Sequence, residues 1–199
     1  MVRFLHIDDE YDKLLTGLAD VENTDNNIDP SFALRENKTD LTAEFKKNYM
    51  VGKVVGEGAY ASVRVAIYKP TNKKIAIKVY EKNKIKEIQR KKAVRREIKI
   101  MQNLNHPNAV HILDVVETNN HLNIAMEYLS GMSLGGYLKS QPNGRIIEKE
   151  CKIIFRGLAE ALVYMHAQNI AHRDIKLENI ILKEDLTPKF IDFGFSTCI

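Results

Sequence analysis

One glutamate constrains this chain more than any other residue. Across residues 87–104 the apolar side chains Val94, Ile98, Met101 and Leu104 recur at helical spacing, and Glu97 falls on the same stripe. Burying an unpaired carboxylate costs several kcal/mol, so the fold must either bring a cation to Glu97 or leave it at the wet edge of the helix. A cation stands nearby in the sequence. Lys74–Tyr80 alternates with period two, with Ile75, Ile77 and Val79 on one face and Ala76 and Lys78 on the other. If Lys78 meets Glu97, that strand must pack directly against the helix. The sequence alone leaves both arrangements open.

The surrounding pattern reads as strands. Val51–Val55 and Ser62–Tyr68 are rich in β-branched residues and flank Gly56-Glu57-Gly58-Ala59-Tyr60-Ala61, which reads as a hairpin. Asn105-His106-Pro107-Asn108 stops the helix, and two further strands are expected over Val110–Glu117 and Leu122–Tyr128. Ser130-Gly131 breaks that pattern, and Gly135-Gly136 weakens any helix in the next segment. Cys151–His166 is an amphipathic helix with Cys151, Ile154, Phe155, Leu158, Leu162 and Met165 on one face. A polar loop (His172–Asn179), a strand (Ile180–Leu182), a turn at Pro188 and a short strand (Phe190–Ile191) follow. Five strands with one helix, then a helical segment with a small hairpin, define an α+β chain in two lobes.

Composition narrows the class. The 199 residues are 44% hydrophobic and 28% charged, ordinary for a chain that buries a core. There is no apolar run long enough to span a membrane, and the start MVRFLHIDDEYD suits neither a signal nor a transit peptide. Two cysteines, Cys151 and Cys198, supply no disulfide framework or structural zinc site, so a reducing cytoplasmic or nuclear setting is expected. Residues 1–44 carry four basic side chains against eleven acidic ones; with +4 overall, the rest of the chain carries +11. Residues 1–48 therefore read as an acidic, largely flexible lead with one weak amphipathic stretch around Leu14, Leu15 and Leu18. Asp25, Asn27, Asp29 and Glu36 match calcium-loop positions in that lead, but Pro30 occupies the turn that needs glycine, which argues against calcium. Residues 81–99 hold nine Lys or Arg without interleaved aromatics, which reads as a solvated basic face and not as a nucleic-acid site.

Four motifs, in order, resemble those of protein kinases. Gly56-Glu57-Gly58-Ala59-Tyr60-Ala61-Ser62-Val63 is similar to the glycine-rich loop, and Ile75-Ala76-Ile77-Lys78 to the strand-lysine motif. His172-Arg173-Asp174-Ile175-Lys176-Leu177-Glu178-Asn179 matches the catalytic loop, and Asp192-Phe193-Gly194 the metal-binding triplet. The resemblance implies a two-lobed fold: residues 49–129 an N-lobe and hinge, with a five-stranded antiparallel sheet plus one helix, and residues 130–199 the first part of a helical C-lobe. It implies a serine/threonine kinase that uses ATP and Mg²⁺ on protein substrates. The wording around the catalytic loop is similar to that of calmodulin-dependent and AMP-activated-type kinases.

The same resemblance distributes roles. Asp174 would meet the substrate hydroxyl; Lys176 would stabilise the transferring phosphate, as in serine/threonine kinases. Lys78, held by Glu97, would bind the α- and β-phosphates, and Asn179 and Asp192 would ligate Mg²⁺. The glycine-rich run from Val55 would cover the nucleotide, with Ala61 replacing the family's third glycine and stiffening the loop. Val63 and Ala76 would lie above the base and Ile181 below it. Met126 would close the rear of the pocket, and Glu127 and Leu129 would form the hinge that bonds adenine through backbone groups. Ser133 stands where relatives carry an acid near the ribose. Met101, Ile112, His172 and Phe193 resemble the stack that links the lobes.

The chain ends at Ile199, five residues after Gly194, so no activation loop or peptide-docking helices accompany these motifs. Three readings follow: part of a longer active kinase, a short nucleotide-binding regulator without catalysis, or a nonfunctional fragment that does not fold stably. In the first two cases the apolar face of Cys151–Met165 is expected to lack its usual cover and to invite a partner.

Overall fold

The structure, a computed structural model, describes residues 3–4 and 41–199, with the backbone alone at 3–4 and 41–42. Its N-terminal lobe is an antiparallel sheet in the order β1-β2-β3-β4-β6-β5. The strands are β1 (Arg3–Phe4), β2 (Tyr49–Glu57), β3 (Ala61–Tyr68), β4 (Lys73–Glu81), β5 (Ile112–Glu117) and β6 (His121–Glu127). Helix α1 (Leu41–Asn48) leads into β2, and α2 (Ile88–Asn103) follows β4. Five of these strands are those the sequence pattern predicts. The sixth, β1, adds two residues to the free edge of β2, pairing Arg3 with Glu57 and Phe4 with Gly56.

Alternation along β4 divides the lobe into two faces, as period two requires. Ile75 and Ile77 pack with Tyr49, Ala66 and Ala125, and Phe45 of α1 covers this outer cluster. Ala76, Lys78 and Tyr80 face the other way, toward α2. There Tyr80 shares a core with Val94, Ile100 and Met101 of the helix. Glu97 is 2% exposed, so the solvent-edge alternative does not hold.

Beyond the hinge come β7 (Gly131–Ser133), α3 (Leu134–Ser140), α4 (Glu148–Ala167), β8 (Ile170–Ala171), β9 (Ile180–Lys183), β10 (Pro188–Phe190) and β11 (Thr197–Cys198). The segment at Gly131 pairs instead of merely breaking: β7 joins β9 and β10 in a three-stranded sheet. A glycine is needed there, because φ is +150° and a Cβ would lie 2.2 Å from the Leu182 carbonyl oxygen. Helix α3 forms despite Gly135 and Gly136, because the Ser133 hydroxyl caps it by accepting from the Gly136 N–H at 3.1 Å.

The predicted apolar stripe of α4 needs two corrections. Ile154, Leu158 and Met165 are buried with Ile170, Ile180, Leu182 and Phe190, so that face is covered within the described residues. Phe155, placed on the stripe by spacing, is instead 68% exposed, and Ile153 and Val163 are exposed as well. The stripe is centred on Gly157 and Ala161, small residues that a hydrophobic pattern undercounts, and this rotates Phe155 outward. Small size is what the packing needs. Asn108 and Pro188 press on the helix at Gly157, where a Cβ would stand 2.8 Å from Asn108 Nδ2 and 3.0 Å from Pro188 Cγ. That amide is not free to swing away, because Nδ2 donates to the Pro188 carbonyl at 2.7 Å.

Inside a helix, Gly→Ala ordinarily stabilises by about 1 kcal/mol. For Gly157→Ala the overpacking outweighs that gain, and a net loss of about 1–2 kcal/mol is expected as a lower denaturation midpoint with unchanged slope. A midpoint that rises would show that Asn108 and Pro188 yield.

Candidate active site

The site is assembled from four pieces of chain that the two lobes bring together. Lys78 lies mid-sheet, opposite Val63 on β3 and Ile124 on β6. Its ammonium donates to Glu97 Oε1 at 2.6 Å and to Asp192 Oδ1 at 3.0 Å. One lysine thus joins the sheet, α2 and the loop after β10. Burial disfavours the charge on Lys78, but Glu97, Tyr80 and Asp192 outweigh it and hold the ammonium well above the ordinary lysine range. For Asp192, burial works upward, yet Lys78 and the Gly194 N–H, which donates to Oδ1 at 3.1 Å, hold the carboxyl below its usual value.

Above this centre, Val55, Val63 and Val65 form a small apolar cluster with Ala76 and Tyr128 packed against it. Ala76 pairs with Met126, which is buried. The hairpin carrying Gly56, Glu57, Gly58, Ala59 and Tyr60 closes with the Gly58 N–H donating to the Ala61 carbonyl at 2.8 Å. Glu57 and Ala59 are exposed, and the Tyr60 ring lies under the Arg90 guanidinium of α2 at 4.2 Å. Ala61 and Leu129 sit at the margin of the main core. From below, Ile181 on β9 is buried and pairs with Ser133.

The second cluster occupies the loop between β8 and β9. Asp174 Oδ2 accepts from Lys176 Nζ at 2.5 Å and from Asn179 Nδ2 at 2.8 Å, and the same Asn179 nitrogen donates to the Asp174 carbonyl at 3.0 Å. Arg173 adopts a left-handed φ of +64°, and its Nε donates to the Phe195 carbonyl at 2.7 Å. Ser196 Oγ donates to the His172 carbonyl at 3.2 Å, and β11 pairs with β8. The catalytic-type loop is thereby tied to the chain that follows Gly194. His172 is buried beside Phe190 and Phe193, with ring centroids 5.0 and 5.2 Å away. Met101 and Phe193 are buried in one core, with Ile112 packed at its edge.

The donor set fits Mg²⁺. The Asn179 amide nitrogen is committed to Asp174, which leaves its oxygen, with the Asp192 carboxylate, as the available oxygen ligands. Oxygen donors of this kind suit a hard cation that keeps water and phosphate ligands. Among the described residues no group of three His, Cys, Asp or Glu is set to hold a metal.

Two residues at the site were not singled out from the sequence. Tyr80 donates its hydroxyl to Glu97 Oε2 at 2.5 Å; the alternation that exposed Lys78 to the helix also aims Tyr80 at it. Lys189 donates to Glu127 Oε1 at 2.5 Å, and the same oxygen accepts from the His111 N–H at 2.8 Å. Nothing in a lone lysine of a three-residue strand signals that it reaches the hinge.

Comparison with known proteins agrees with this geometry. The family model for the protein kinase domain matches residues 49–199. The chain is 35% identical over 161 residues to the SNF1-related protein kinase catalytic subunit alpha KIN12 of Arabidopsis thaliana, covering 81% of the chain and 32% of that protein. It is 37% identical over 155 residues to the maternal embryonic leucine zipper kinase of Danio rerio, covering 78% of the chain and 22% of that protein. Against CBL-interacting protein kinase 25 of rice (Oryza sativa subsp. japonica) the identity is 36% over 153 residues, with 75% and 30% covered. This chain belongs to the eukaryotic serine/threonine protein kinase family. It spans about a third or less of the length of these relatives.

The buried His172 sets an acid limit. Burial holds its imidazole below the ordinary value, against the pull of Asp192 and Asp174. As pH falls below about 6.5 the unfolded chain takes up this proton before the folded one, so stability is lost on the acid side. The melting temperature should fall between about pH 7 and pH 5, and His172→Phe should flatten that slope. An unchanged slope in the variant would remove His172 from the account.

Proposed function

We propose that this chain carries the catalytic centre of an ATP-dependent protein serine/threonine kinase that transfers the γ-phosphate of Mg-ATP to serine or threonine hydroxyls. The observation that carries this reading is the single ammonium of Lys78, bonded at once to Glu97 and to Asp192. A cation buried between two carboxylates contributes little net stability over an apolar core, so function is the better reason for building one.

In this reading Lys78 neutralises and orients the α- and β-phosphates, and Glu97 fixes where that charge stands. The backbone around Gly56 and Gly58 lies over the phosphates, while Val55, Val63, Ala76 and Ile181 sandwich the base. Met126 walls the rear. The Glu127 N–H is already donated to the His111 carbonyl at 3.0 Å, so its contact with adenine would come through its carbonyl, with the Leu129 N–H beside it. Mg²⁺, held by Asp192 and Asn179, would neutralise charge on the β- and γ-phosphates.

Asp174 orients the substrate hydroxyl and accepts its proton. A carboxylate is a weak base, which suits a loose transition state in which positioning and charge stabilisation dominate. Lys176, on the same carboxylate, stands ready to stabilise the transferring phosphoryl oxygens.

The test is phosphate transfer to a serine/threonine peptide by the full-length protein. Asp174→Asn should lower transfer by about 10²–10⁴-fold with nucleotide binding retained, and Lys78→Met should remove it. Nucleotide binding without transfer in the unaltered protein would favour the regulatory reading instead.

A further inference from the structure

The catalytic lysine accounts for only one oxygen of Glu97. The other, Oε2, accepts the Tyr80 hydroxyl at 2.5 Å. Tyr80 lies two residues beyond Lys78 on β4, on the same face, and is 6% exposed. Its ring packs in the core shared with Val94, Ile100 and Met101, so the phenol is anchored along its length before its hydroxyl reaches the carboxylate. The Lys78 ammonium also lies 5.4 Å from the centroid of that ring. Both carboxylate oxygens are thus filled by donors from a single strand, and the carboxylate cannot rotate without breaking one bond.

We propose that Tyr80 is a positioning residue for phosphotransfer: it is the second tether of Glu97, holding helix α2 and the carboxylate where Lys78 needs them. The proposal rests on the kinase reading above. A carboxylate held by Lys78 alone can turn about its own axis and follow the helix outward. One held from both oxygens keeps its bearing toward Lys78 through any small displacement of α2. The phenol suits this role because it stays neutral. Burial and Glu97 keep the proton on it, with Lys78 opposing them less strongly. A neutral donor adds a bond to Glu97 without competing for the charge that Lys78 supplies.

The experiment compares Tyr80→Phe with the unaltered full-length protein, by steady-state peptide phosphorylation and by amide hydrogen exchange. The ring remains, so packing survives and only the hydroxyl is lost. Removing one charge-assisted hydrogen bond should lower kcat by about tenfold, with KM for ATP changed less than about threefold. Amides of α2 should exchange about tenfold faster, while those of α4 keep their rate. A purely structural tyrosine would not divide kcat from KM in this way. Exchange of α2 at the unaltered rate overturns the proposal, whatever happens to transfer. Faster exchange with unchanged kcat also overturns it, since the tether would then not serve the reaction. If the unaltered protein transfers no phosphate, the kinase reading fails first and takes the positioning role with it. The two failures are distinguishable because only that of the kinase reading is seen without any substitution.

Discussion

Lys78 and Glu97 meet at 2.6 Å between a strand and a helix that the sequence separates by a loop, and most of the site depends on that meeting. The pair is expensive: both groups are almost fully buried, and removing Lys78 would leave Glu97 an uncompensated charge at a cost of about 3–5 kcal/mol. The fold meets this requirement by adding hydrogen-bond partners. Tyr80 bonds the second oxygen of Glu97, and Asp192 accepts a second bond from Lys78. The strand, the helix and the loop after β10 are thereby fixed with respect to one another by four side chains.

The lobes are joined elsewhere by backbone. The Val110 N–H donates to the Phe190 carbonyl at 2.8 Å, and the Phe190 N–H to the Asn108 carbonyl at 2.9 Å, so the chain leaving α2 is stitched to β10. Asn108 reaches Pro188, and both press on α4 at Gly157. At the hinge, Lys189 bonds Glu127. The segment that begins with β10 therefore carries lobe contacts first and Asp192 immediately after them. Any movement between lobes must shift the position of that carboxylate, which ties the geometry of the site to the packing of the whole molecule.

Much of this was legible in the residues. The period-two pattern of β4 placed Ala76 and Lys78 on one face and made Lys78 a candidate partner for Glu97, and the burial of Glu97 decides between that pairing and the solvent edge. The same alternation contained Tyr80, but a tyrosine in a core looks like packing until its hydroxyl has a destination. Phe155 was misassigned because hydrophobic spacing counts large side chains, whereas α4 is buried along Gly157 and Ala161. The helix over Leu134–Ser140 was underrated because glycines lower helix propensity in isolation, and the Ser133 cap restores part of what they remove. Strand β7 depends on a glycine at positive φ, whose pairing partner lies some fifty residues away in sequence. Long-range pairings of that kind leave no local trace. The acidic calcium-like run at Asp25–Glu36 and the stretch around Leu14 lie outside the described residues.

The most direct measurement is titration of Mg-ATP against the protein, with melting temperature as readout, for the unaltered chain and for Glu97→Gln. If the buried pair organises the nucleotide site, saturating Mg-ATP should stabilise the unaltered protein by about 2.7 kcal/mol at a hundredfold excess over Kd. In the variant, the same concentration should give a clearly smaller shift. Equal shifts in the two proteins would mean that nucleotide binding does not depend on Glu97. The absence of any shift in the unaltered protein would contradict the nucleotide site itself.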